Sequence, residues 1–118
     1  MNERVKNLWC KVLPEYQQTY HCLNDGNGFC CLGVLTDLYL KETGQEWVFD
    51  PINEEYSYNE GSYVLPEVVK VWAGLKTNNP CVAISGLPNL KALSTLNDDA
   101  KFSFKQIAKC IEDNWKDM

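Results

Sequence analysis

The sequence predicts a single α+β domain, with four to five helices packed on a small, mostly antiparallel sheet. Three observations carry that reading. Apolar residues recur at helical spacing in several separate segments, short runs of β-formers lie irregularly between them, and Gly, Pro, Asn and Asp punctuate the junctions. No repeat, linker or low-complexity tract interrupts the 118 residues, so residues 1–118 read as one domain able to bury a core.

The first helix covers residues 3–13, placing Val5, Leu8, Trp9, Val12 and Leu13 on one face before Pro14 stops it. Residues 18–23 alternate β-formers with polar residues and read as a short strand. A loop, Asn24–Gly28, follows with two turn dipeptides, Asp25-Gly26 and Asn27-Gly28. The second helix runs from Cys30 to Thr43, with Cys31, Leu32, Leu35, Leu38 and Tyr39 as its buried stripe and Gly44 as its C-terminal stop. Trp47-Val48-Phe49 reads as a strand closed by Asp50-Pro51. Tyr56-Ser57-Tyr58 and Ser62-Tyr63-Val64 are expected to pair as a hairpin around Asn59-Glu60-Gly61. Pro66 opens a helix carrying Val68, Val69, Val71 and Trp72 and ending by Gly74. Residues 81–84 read as a short buried strand, and Leu90, Ala92, Leu93 and Leu96 as a brief helix. The last helix has the strongest local signal: Ser103 and Gln106 form a capping box, and Phe104, Ile107, Ala108, Ile111 and Trp115 its apolar face.

The formal net charge of −5 excludes a broad electrostatic footprint on nucleic acid or anionic membrane. No apolar run reaches membrane-spanning length, and Met1–Lys6 lacks the apolar core of a secretory signal, so a cytosolic protein with reduced cysteines is expected. The six cysteines offer no Cys-x-x-Cys spacing, and adjacent Cys30 and Cys31 suit one tetrahedral zinc poorly. Neither a metal site nor a cofactor is implied.

Three constellations can carry chemistry. Cys30 or Cys31, in the first turn of a helix, is placed for the dipole to favour a thiolate, with His21, the sole histidine, as base; the plain alternative is a pair of core cysteines. The loop at Asn24, Asn27 and Gly28, feeding the helix at Cys30, can offer backbone N–H groups to an anion, although no Gly-Lys-Ser/Thr follows it as in a phosphate-binding P-loop. Residues 45–72 mix Trp47, Phe49, Tyr56, Tyr58, Tyr63 and Trp72 with Asp50, Glu54, Glu55 and Glu60. Trp47, Phe49 and Trp72 are expected inside, while Tyr56 and Tyr58 share one strand face and are expected to be exposed together as a ligand or partner surface. The acidic pairs Glu54-Glu55 and Asp98-Asp99 read as solvated turn residues.

The assembled motifs resemble a family of small proteins encoded by tailed bacteriophages and prophages. The resemblance rests on Trp9 with Tyr16-Gln17-Gln18, on Cys30-Cys31-Leu32-Gly33-Val34-Leu35 followed by Asp37-Leu38-Tyr39, and on Leu65, Pro66, Val69, Trp72, Gly74 and Leu75. It ends with Leu96-Asn97-Asp98 and the block Ser103-Phe104, Ile107-Ala108 and Ile111-Glu112. The chain departs from the pattern at Pro14-Glu15, where Ser-Gly is usual, and at His21, where Gly is usual, which weakens His21 as a catalytic base. The resemblance implies an accessory protein in the cytoplasm of an infected bacterium. It would act by binding a host protein or a small nucleotide-like ligand, in host takeover or against a defence system, with its oligomeric state open. A cysteine-dependent hydrolase or transferase and a minor virion or assembly component are the alternatives.

Overall fold

Five helices and two separate two-stranded antiparallel sheets build the computed structural model, which describes residues 1–59 and 61–118. Helix α1, Glu3–Val12, starts where the Asn2 side chain accepts the Val5 N–H at 3.0 Å. It continues into a single 3₁₀ turn, Leu13–Glu15, which accommodates Pro14 because a proline near a helical start has no N–H to leave unpaired. Val5, Trp9 and Leu13 line its buried side, and the Trp9 indole N–H donates to the Cys31 carbonyl at 3.0 Å.

Helix α2, Cys31–Thr43, is the hub. Every residue from Cys31 to Leu38 is buried, not only the expected stripe, and Gly44 closes the helix at φ 70°. A helix apolar all round needs neighbours on all sides; α1, α3 and α4 supply them. Gly33 is required here, because a Cβ would sit 1.8 Å from the Leu23 carbonyl oxygen. Helix α3, Glu67–Ala73, buries Val69 and Ala73 and leaves Val68 and Val71 exposed. Pro66 precedes this helix as its cap and lies outside the first turn. Helix α4, Leu93–Asp98, and helix α5, Phe104–Asn114, complete the core through Leu93, Leu96, Phe104, Ile107 and Ile111. The capping box of α5 is complete: the Gln106 N–H donates to Ser103 Oγ and the Ser103 N–H to Gln106 Oε1.

The β structure is smaller and differently paired than the sequence suggests. Strands β1, Val48–Asp50, and β2, Glu55–Ser57, form a hairpin in the register Val48↔Ser57, Phe49↔Tyr56 and Asp50↔Glu55. The Asp50 side chain nucleates the connecting turn by accepting the Ile52 N–H. The expected pairing of residues 56–58 with 62–64 therefore gives way: only an isolated Tyr58↔Gly61 bridge remains, and Glu60 lies outside the described residues. Residues 18–23 do not form a strand. His21 sits at φ 80°, which breaks an extended run, and only Gln18 and Asn24 bridge to Phe29. Strands β3, Cys81–Val82, and β4, Lys91–Ala92, form the second pair, so the helix expected around Leu90 starts only at Leu93.

Candidate functional site

Cys30 and Cys31 stand where the sequence places them, at the head of α2, but they face the core. The Cys30 thiol caps the helix by accepting the Gly33 N–H at 3.4 Å, and only 3% of the residue is exposed. Burial pushes this thiol up to about 12, outweighing the opposing N–H bonds from Gly33 and Leu32. Cys31 is fully buried, its thiol lies 3.7 Å from the Leu93 carbonyl, and burial raises it well above its ordinary range. A thiol held neutral in this way is no nucleophile at neutral pH. His21 is exposed, and its backbone N–H and ring approach Asp98, at 2.9 Å and 4.0 Å. The Cys–His pairing that a thiol hydrolase needs is thereby removed at its nucleophile.

The loop before α2 already carries its own anion. The Asp25 carboxylate accepts the N–H groups of Asn27 at 2.8 Å and Gly28 at 2.9 Å, and Asn24 Oδ1 accepts that of Gly26 at 2.9 Å. Farther on, the Phe29 and Cys30 N–H groups go to the Gln17 and Leu23 carbonyls, and that of Cys31 goes to the Asn97 side chain. The backbone donors expected to cradle a phosphate at Asn27, Gly28 and Cys30 are thus spent within the fold, and Asn24, Gly28 and Cys30 are buried.

The third region behaves differently. Ile52 is 89% exposed, Val48 60% and Phe49 50%, with Tyr63, Val64, Val68 and Val71 also facing solvent. The expected roles of the aromatics are partly exchanged. Phe49 lies outside, packed at 5.1 Å against half-buried Tyr56, because their cross-strand register puts them side by side on one face. Half-buried Tyr58 hydrogen-bonds Gln45 and lies against Tyr39, which also meets Trp72 edge-on at 5.5 Å. Tyr63 is exposed, and Glu55 near its hydroxyl raises that hydroxyl above its ordinary range. The apolar members Val48, Ile52, Val64, Val68 and Val71 were missed by pattern reading, since alternation assigns such residues to a core.

A charge signal marks the same region. Between Lys41 and Lys70 there are seven carboxylates and no Lys, Arg or His. With 11 basic and 16 acidic residues overall, the chain outside this segment is net positive by two. A clasp at Asp37 ties the segment to α2. Asp37 Oδ1 accepts the Trp47 indole N–H at 3.0 Å, while Oδ2 accepts the Tyr16 hydroxyl at 2.6 Å and pairs with Lys41 at 3.0 Å.

The family model described as a domain of unknown function, DUF8296, matches residues 1–115. The chain belongs to this family. No curated protein and no solved structure matches it.

Elsewhere in this DUF8296 protein, a cleft of about 310 Å³ opens between Lys76, Pro80, Cys81, Leu90, Asp117 and Met118. It holds none of the site residues expected from the sequence and lies near the small end of the range of ligand pockets. Among the described residues, no helix is long and apolar enough to cross a membrane, and no three His, Cys, Asp or Glu side chains converge as a metal site needs.

Proposed function

We propose that this DUF8296 member is a phage-encoded accessory protein that acts by binding and not by catalysis, and that the segment from Glu42 to Val71 docks a protein of the infected bacterium. The observation that carries the reading is the coincidence of two surface properties. Solvent-facing Val48, Phe49, Ile52, Tyr63, Val64, Val68 and Val71 lie in or beside the one stretch holding seven carboxylates and no cation. Exposed apolar side chains favour association, and the excess of carboxylates beside them, of which Glu42 is paired with Arg4 and Glu67 with Lys70, favours a basic counterpart. The spent donors of the Asn24–Gly28 loop favour this reading over a nucleotide-like ligand, and the buried thiols favour it over a hydrolase.

The test is photo-crosslinking from Ile52 in bacteria expressing the protein, beside the double variant Phe49→Ser/Ile52→Ser. One predominant crosslinked protein that is lost in the double variant is expected. Undiminished capture by a correctly folded double variant would overturn the assignment of the surface. A thermal-shift series with nucleotides and cyclic dinucleotides should be flat. Stabilisation of about 2.7 kcal/mol, as produced by a ligand at a hundredfold excess over Kd, would restore the small-ligand reading.

A further inference from the structure

We infer that the partner docks on the outer edge of β1 with an extended segment in which basic and apolar residues alternate, adding a third strand to the hairpin. The inference rests on the docking reading above and deepens it. In the two-stranded sheet, the outer edge of β2 is already met by Asn24, whose carbonyl accepts the Tyr56 N–H at 2.9 Å. Among the described residues, no bridge and no backbone hydrogen bond from outside the hairpin reaches the outer edge of β1. An exposed edge with apolar side chains is a template for another strand, and main-chain bonds then supply affinity while side-chain pockets select sequence.

The register defines what that strand must carry. Phe49 and Tyr56 form one cross-strand row, to which an apolar residue would add. On the other face Asp50 lies directly opposite Glu55, a like-charged pair that destabilises a hairpin unless something offsets it. Internal donors take part of that load at Asp50, the Ile52 N–H and the Asn53 side chain, but no Lys, Arg or His lies between Lys41 and Lys70. These bonds hold the Asp50 carboxylate below its ordinary range, so it stays charged. Because side chains alternate along a strand, Val48 and Asp50 face one way and Phe49 the other, and exposed Glu46 lies two residues before the strand. The complementary strand places Lys or Arg beside Asp50 and Glu46, and apolar residues beside Phe49. A second copy of this chain is disfavoured, since it brings a second carboxylate-rich segment of like charge to the first.

The probes are short synthetic peptides titrated into the isotope-labelled full chain and followed by NMR. The first alternates lysine with valine, the second has glutamate for lysine, and the third is the first N-methylated on alternate residues, which keeps charge and side chains but deletes N–H donors. The first should shift the amides of residues 46–50 and slow hydrogen exchange on β1. The second and third should bind more weakly by about tenfold or more, a difference of about 1.4 kcal/mol. Glu46→Lys, an exposed substitution, should weaken the first peptide and leave the fold intact. Equal binding of the methylated peptide, shifts mapping elsewhere, no binding of the first peptide, or self-association through β1 would each overturn strand addition. If those outcomes occur while Phe49→Ser/Ile52→Ser still abolishes crosslinking in cells, this inference falls and the docking surface stands. If crosslinking survives the double variant, the surface itself is wrong.

Discussion

From Cys31 to Leu38 no residue of α2 is open to solvent, whereas in the stretch that follows Val48, Phe49 and Ile52 stand on the outside. The most distinctive motif, Cys-Cys-Leu-Gly-Val-Leu, belongs to the first region. Its peculiarities are packing requirements: a thiol that caps a helix, a second thiol in the core, and a glycine pressed against a carbonyl. The second region has no motif at all. Its character lies in the absence of Lys, Arg and His between Lys41 and Lys70 and in the exposure of its apolar side chains. A conspicuous sequence pattern can thus mark a core, and a plain one an exposed apolar surface.

The sharpest way to break this contrast is alkaline titration. Cys30 is raised from 9.0 to about 12 in the folded state, and Cys31 is raised as well. A raised folded pKa contributes stability that is fully present below the unfolded value of 9.0 and is lost as pH climbs toward the folded one. Each such thiol should therefore remove about 1.4 kcal/mol of stability per pH unit above about pH 9. Urea denaturation across that range should show the slope, and Cys30→Ala should lower it by about 1.4 kcal/mol per pH unit, leaving the share of the other raised thiols. An unchanged slope would mean that Cys30 is not buried as described.

The next effect concerns the link between the regions. Asp37→Ala deletes the acceptor for Trp47 and Tyr16, and should cost about 1.5–3 kcal/mol while increasing hydrogen exchange in β1. Within the hub, Gly33→Ala should cost about 1–3 kcal/mol through overpacking, although alanine normally stabilises a helix relative to glycine. A stabilised variant would show that α2 and Leu23 are not in contact. Smallest of all, Phe49→Ser should change stability by no more than about 0.5 kcal/mol, because its side chain is already half outside. A large loss would move Phe49 from the surface to the core.

Much of the hub was legible in sequence. Helices α1, α2 and α5 follow from apolar period, from Gly44 and from the Ser103–Gln106 box, all local signals that tertiary packing leaves in place. The hairpin was not, because its register is decided by the Asp50 side chain at the turn and by contact with Asn24, neither of which alternation encodes. The run from Gln18 to Leu23 misled for a similar reason: the backbone at His21 takes a left-handed conformation that glycine adopts freely, so a β-like composition does not become a strand. At the candidate site, the tyrosines singled out in the sequence lie in the same segment as the exposed aliphatic residues, with Tyr56 and Tyr58 half-buried. The exposed aliphatic residues stayed hidden, since apolar type alone does not say which side of a sheet lacks a neighbour.

The partition of charge along the chain also has a consequence at distance. Seven carboxylates are gathered between Glu42 and Glu67, two of them paired with Arg4 and Lys70, and the rest of the chain carries a surplus of two positive charges, so the negative charge is concentrated in one segment. Near a positively charged surface such a body experiences a torque before it makes contact, and turns its hairpin forward while still separated by layers of water. Collisions are then pre-aligned, an advantage that depends on dilute salt and disappears as the screening length shortens.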